Sequence, residues 1–148
     1  MDEGIRELTM DEAESAAMVH RTAFDESLPW LKGLHTKSED TDFYRISVFR
    51  KCRVWGAFHH GELIAVMALR AGWIDQLYVL PQAQSQGIGS ALLALAKSSQ
   101  RRISLWTFQK NQPARRFYER HGFIVVEQTD GSTNEEREPD VRYEWTRS

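Results

Sequence analysis

The segment Trp73 to Ser90, WIDQLYVLPQAQSQGIGS, narrows the choice of fold more than any other part of the chain. A run rich in strand formers meets Pro81, passes through a polar turn, and re-enters order at Gly87-Ile88-Gly89, where helix spacing begins with Ile88, Leu92, Leu93 and Ala96. A strand that stops at a proline and feeds a glycine-led helix leaves the first N–H groups of that helix unpaired and pointing out of the turn together. Such a turn is suited to an anion. The surrounding charge agrees: the chain carries 21 acidic residues, yet none falls between Gln76 and Tyr118, where the average would place about six. Lys97, Arg101, Arg102, Lys110, Arg115 and Arg116 lie in the same stretch. A solvated basic face would have a similar composition, but an acid-free zone centred on the turn favours a multiply charged anionic ligand.

The rest of the chain divides into short elements. Ile5 to Leu8 reads as a strand, and Thr9 with Glu12 has capping-box spacing ahead of a helix that places Ala13, Ala16, Ala17, His20 and Phe24 on one face. Asp25 to Lys37 reads as an aromatic loop, and Glu39 to Phe49 as a second helix capped by Ser38. Strands follow at Arg53 to Phe58, Glu62 to Arg70 and Trp73 to Leu80, joined by His60-Gly61 and Ala71-Gly72, turns short enough to require antiparallel pairing. After the glycine-led helix come a strand at Ile103 to Phe108 and a helix at Gln112 to His121, capped by Asn111 and ended by Gly122. Strands at Ile124 to Gln128 and Val141 to Thr146 flank a polar segment, Thr129 to Asp140, expected to be exposed and mobile. The order predicts an α/β chain of the α+β type: a mixed, mostly antiparallel twisted sheet flanked by helices, in one domain over residues 1–148.

Composition sets limits on function. A net charge of −2 is not the footprint of a general nucleic-acid binder, so no nucleic-acid partner is expected. Cys52 is the only cysteine, which rules out an intrachain disulfide or a cysteine-based metal cluster; His59-His60 lacks a third ligand at metal spacing, and no metal is expected. No stretch approaches the length of an apolar membrane span and the N-terminus lacks signal-peptide character, so a cytoplasmic protein with no membrane partner is expected.

The run Gln84-Ser85-Gln86-Gly87-Ile88-Gly89-Ser90 fails as a dinucleotide fingerprint, because Leu92 stands where a third glycine belongs, and as a Walker A loop, because no Gly-Lys-Ser/Thr follows. Paired with Asn111, Ala114, Phe117-Tyr118 and Gly122-Phe123, and entered from Leu77-Tyr78-Val79 and Pro81, it resembles the GNAT superfamily of acyl-CoA-dependent N-acyltransferases. The resemblance covers about Trp73 to Phe123 and implies acetyl-CoA as co-substrate. It implies that the backbone of Gln86, Gly87, Ile88, Gly89 and Ser90 holds the pyrophosphate, with Gln84 and Ser85 in the same loop. By the same resemblance, main-chain groups of Leu77 and Val79 pair with the pantetheine arm, Tyr78, Asn111 and Phe117 line it, and Tyr118 stands where many members place a general acid for the departing thiolate. Homodimers are common in the family. Gln86 occupies a position often basic there, which removes a phosphate-binding cation.

Chemistry supports the Tyr118 role independently, since a phenol stays protonated at neutral pH and can donate to a leaving thiolate; a buried aromatic with a backbone partner is the alternative. An attacking amine must lose a proton. Asp75, expected to share a strand face with Leu77 and Val79, is the leading base, with Asp25, Glu26, His35 or a water chain as alternatives. Trp30 and Glu26, in the aromatic loop, are candidate substrate contacts. Eleven acids lie before Phe43, which suits a cationic acceptor entering from the N-terminal side. The expected reaction is direct transfer of an acetyl group to the primary amine of a small molecule in a ternary complex. The rivals are a protein or peptide N-acetyltransferase and a non-catalytic acyl-CoA-binding sensor.

Overall fold

The computed structural model describes residues 4–148. Seven strands form one sheet: β1 (Gly4–Glu7), β2 (Arg53–His59), β3 (Glu62–Arg70), β4 (Trp73–Val79), β5 (Arg102–Phe108), β6 (Ile124–Gln128) and β7 (Asp140–Thr146), in the spatial order β1-β2-β3-β4-β5-β7-β6. Every neighbouring pair is antiparallel except β4 and β5. The expected α+β architecture is therefore present. His60 and Gly61 both adopt positive φ (52° and 77°), the backbone that a two-residue hairpin turn needs to match strand twist.

Among the described residues there are five α-helices: α1 (Ala13–Ser27), α2 (Lys37–Phe43), which packs on α1, the single turn α3 (Phe49–Lys51), α4 (Ile88–Ser99) and α5 (Gln112–Arg120). Strand β3 is buried from Leu63 to Leu69 on both faces, with α1 and α4 each packed against it and against β4. Helix α1 presents Ala13, Ala16, Ala17 and Ala23, small residues that let its backbone lie close to the sheet. Helix α4 presents Leu92, Leu93 and Ala96. Each of those leucines is fully buried and contributes about 2 kcal/mol by leaving water.

Three local expectations are corrected. Helix α1 runs on to Ser27, through residues assigned to the loop. Helix α2 is capped by Thr36 instead of Ser38: Thr36 Oγ1 accepts from Glu39 N (3.1 Å) while Glu39 Oε1 accepts from Thr36 N (2.7 Å), a reciprocal pair that Ser38 would not form with that glutamate. Beyond Phe43 the helix widens into a π-type turn, Tyr44–Val48. The segment between β6 and β7 is not merely exposed chain. Asn134 bonds the backbone of Glu138 in both directions, Thr129 Oγ1 donates to Asp140, and Glu138 is buried.

Candidate active site

The parallel pair β4 and β5 meets at one register position only, Trp73 opposite Ser104, and beyond it the strands splay. The gap is a cleft of about 600 Å³ walled by the C-terminal half of β4, by Leu105 to Phe108 of β5, and by α5. Leu80 N donates to Ile64 O on β3 (2.9 Å), so the period-two alternation turns the main-chain groups of Val79 and Leu77 the other way, into the gap. An extended amide-bearing ligand could therefore be received there as if it were another strand. Gln84 Nε2 already donates to Val79 O (3.0 Å), tying the turn to the strand end.

That turn closes with Ser85 and Gly87 at positive φ (68° and 80°), and α4 starts at Ile88 with no acid in its first turn. The conformation of Gly87 is what demands glycine, since a Cβ there would meet nothing within 4 Å. Gly89 is constrained by space: a Cβ would lie 3.2 Å from the Phe117 ring. Gln84, Ser85, Gly87, Gly89 and Ser90 all border the cleft. Ile88 and Gln86 stand outside its lining; Ile88 packs on the core, and the Gln86 amide donates back to Gln82 O (3.3 Å).

Helix α5 forms the far wall. Asn111 caps it, accepting from Ala114 N (3.3 Å), and Phe117 faces Gly89 across the cleft. The Tyr118 ring is buried against Phe123 and Tyr143, and its hydroxyl has no hydrogen-bond partner among the described residues although Tyr118 borders the cleft. Burial pushes this phenol above its ordinary pKa, so it remains a proton donor. Arg115 is held by the Tyr143 hydroxyl (2.9 Å) and Gln109 O (3.4 Å), whereas Arg116 lines the cleft. Arg120 lines it too. The sequence reading missed it, although its i,i+4 spacing from Arg116 puts both on one helical face.

Two expected site residues stand differently. Asp75 is the unpaired residue of a β-bulge, because Ala68 opposes Gln76 and the next residue, Leu69, opposes Ile74. The bulge interrupts strand alternation there, and the carboxylate accepts from Arg70 Nε (2.6 Å) and Cys52 Sγ (3.4 Å). Asp75 borders the cleft as an ion-paired group, not as a free carboxylate. Trp30 lies outside the lining: its indole Nε1 donates to Glu138 Oε1 (2.8 Å), which fastens the aromatic loop to the β6–β7 segment. Glu26 does border the cleft.

A second cavity, of about 580 Å³, shares Phe24, Gln76, Tyr78 and Phe108 with the first. Its rim carries Glu39, Asp40, Asp42, Glu135 and Glu136, against Arg21 and His35. Arg21 is engaged by Asp40 (2.9 Å) and Asp25 (3.3 Å), and His35 by Glu135 (2.7 Å). Deeper in, His20 stacks on Tyr78 (4.2 Å between ring centres) and bonds the Tyr44 hydroxyl through Nδ1 (2.8 Å). Burial, reinforced by the Arg21 charge, pushes its pKa down to about 3 and keeps it neutral. The sequence marks His20 only as part of the core face of α1. Nothing in the sequence shows that α2 and the β6–β7 segment would meet over it.

Among the described residues, no three His, Cys, Asp or Glu side chains gather to hold a metal, and no helix is long and apolar enough to cross a membrane.

The profile of the acetyltransferase (GNAT) domain matches residues 50–125. A curated relative, the peptidyl-lysine N-acetyltransferase YiaC of Escherichia coli (strain K12), is 32% identical over 74 residues, or 49% of this chain. The chain spans about half of that relative's length (51%). Among solved structures, apo YjaB from Escherichia coli superposes with a TM-score of 0.81 at 21% identity, covering 100% of both chains. The PaiA N-acetyltransferase of Thermoplasma acidophilum, solved with coenzyme A, gives 0.73 at 22% identity over 99% of each chain. YncA of Salmonella typhimurium, solved with acetyl-CoA, gives 0.73 at 13% identity, over 100% of this chain and 95% of that one. At these identities the structures establish a shared fold.

Proposed function

The chain belongs to the GNAT acetyltransferase family, and from that premise we propose that it is one catalytic domain moving the acetyl group of acetyl-CoA to the primary amine of a small cationic molecule. The observation that carries the proposal is the joining of two unlike cavities at Phe24, Gln76, Tyr78 and Phe108, one holding a phosphate-type turn that itself carries no acid, with Arg116 and Arg120 in its lining, and the other rimmed by five carboxylates. Acetyl-CoA fits the first on chemistry. Outward N–H groups at the start of α4, with Arg116 and Arg120 nearby, suit its phosphates, and the free edge of β4 suits its amide-bearing arm. When bound, it supplies an acyl carbon activated as a thioester.

The protein's part is positional and protic. Acidic groups at the second cavity draw in an ammonium, which sheds a proton before its nitrogen can attack. We place that proton's exit in water at the acid-lined mouth, because Arg70 already occupies Asp75. The amine nitrogen bonds to the acyl carbon while the Val79 N–H, facing the gap, donates to the carbonyl oxygen. As the C–S bond breaks, the Tyr118 hydroxyl gives its proton to sulfur and regains one from solvent, while the nitrogen, cationic after attack, gives its second proton to the same water and becomes a neutral amide. No covalent enzyme intermediate is needed. Cys52 is unsuited to forming one, since burial and the neighbouring Asp75 push its thiol up to about 12.

A second reading, transfer to a peptide lysine, is favoured by the name of the YiaC relative. The tie His35–Glu135 argues for the small substrate, because it joins two segments across the rim of the second cavity. Thiol release should be followed over a panel of diamines, mono-amines and lysine peptides. Small dicationic amines are expected to give the highest kcat/KM. A preference for peptides would move the assignment to the second reading, and no turnover with any amine would leave a binding module.

A further inference from the structure

Ser90, in the first turn of α4, borders the cleft, and its Oγ lies 3.0 Å from Nε2 of His121, the residue that ends α5. The imidazole is half-buried, packs 4.7 Å from the Phe117 ring, and has its backbone carbonyl held by Lys97 Nζ. A hydroxyl has one proton to give. If Nε2 is bare, Ser90 directs that proton at the imidazole and shows the cleft only lone pairs, which repel a phosphate. If Nε2 carries hydrogen, the imidazole donates to Oγ and the serine proton is released toward the cleft. We propose that His121 is a positioning residue for the phosphate end of the cofactor: its Nε2–H donates to Ser90 Oγ and turns the Ser90 hydroxyl onto a diphosphate oxygen. This rests on the reading that the Gln84–Ser90 turn holds the diphosphate.

The arrangement supplies what the turn lacks. Gln86 brings no charge to the loop and bonds back to Gln82, so the nearest side-chain help for the helix N–H groups comes from the end of another helix. Burial, and then the charges of Lys97 from α4 and Arg120 from α5, hold His121 below its ordinary pKa. An arriving diphosphate opposes both cations and favours the protonated imidazole, whose Nε2 always carries hydrogen. Binding should therefore take up protons over the pH range in which this imidazole titrates.

The test is calorimetry with CoA and with 3′-dephospho-CoA, on the parent protein and on Ser90→Ala, His121→Phe, His121→Gln and the double variant Ser90→Ala/His121→Phe, each checked for an unchanged melting temperature. His121→Phe should weaken CoA about fivefold, the loss expected for one hydrogen bond, and Ser90→Ala by a similar factor. The double variant should be no weaker than either alone, and His121→Gln, which keeps an N–H donor, should recover most of the loss. Both ligands should show the same pattern, and proton uptake, read from a series of buffers, should vanish in His121→Gln. Additive losses, no loss, or a loss confined to CoA would overturn the proposal. Failure of the parent protein to bind either ligand would instead overturn the placement of the diphosphate.

Discussion

The two cavities that meet at Tyr78 are built from opposite materials. The cleft between β4 and β5 is made of main chain: a strand edge released by splaying, and a turn whose positive φ angles aim amides at one point. The second cavity, the proposed acceptor side, is made of side chains from α1, α2 and the segment between β6 and β7, whose carboxylates and rings converge only after folding. The difference separates two kinds of specificity. A backbone site recognises what every use of the cofactor has in common, its diphosphate and amides, and it is indifferent to most side chains. A side-chain site recognises one acceptor and can be remade by a few substitutions.

The sharpest way to break this comparison is to attack the boundary between the cavities. Tyr118→Phe should lower kcat about 10²- to 10³-fold, the usual range for a lost general acid, while CoA affinity stays within about twofold. An unchanged rate would remove the hydroxyl from the reaction. On the cofactor side, Gly89→Leu should reduce CoA affinity at least about tenfold by driving the Phe117 ring into the cleft. Equilibrium binding beside a melting curve checks it, and retained affinity would show that the turn has room to spare. On the acceptor side, Asp42→Asn with Glu136→Gln should raise KM for a diamine about fivefold and leave CoA affinity alone. A KM that ignores these charges would take the cationic tail of the substrate elsewhere.

Two smaller effects sharpen the account. Asp75→Asn should change kcat less than about threefold, because Arg70 already holds the carboxylate; a loss comparable to that of Tyr118→Phe would restore it as the base. His20, with its pKa at about 3 against an ordinary 6.5, is a stability group with a definite sign. Between those values the unfolded chain binds a proton that the folded chain refuses, so stability should fall as pH drops from about 6.5 toward 3. Melting curves across that window should flatten by a few degrees in His20→Gln, and an identical slope would mean that the imidazole charges in place.

The same contrast governs how much could be read beforehand. Strand β3 and strand β6 fall where apolar runs and turn residues put them, and Asn111 caps α5 as its place before Pro113 suggests. The phosphate-type turn was legible because glycine spacing encodes backbone shape locally. The Thr36 cap was missed because Ser38 competes with it in sequence and only the Glu39 side chain decides between them. The bulge at Asp75 could not be read from strand alternation, which it interrupts. His20 and the acid rim answer to tertiary contacts between distant segments, and no local pattern marks them apart from ordinary core or surface; Arg120 had a local sign in its i,i+4 spacing from Arg116.

The central claim is that backbone amides form the main hold on the thioester carrier, with side chains such as Ser90 adding to it. The direct measurement is an amide-resolved NMR titration of the folded protein with CoA. The account predicts saturable shifts concentrated at Gln86 to Ser90 and at Leu77 and Val79, with the amides of α2 and β6 unmoved. Saturation with the largest shifts at α2 or along the β6–β7 segment, or no shifts at millimolar CoA, would contradict it.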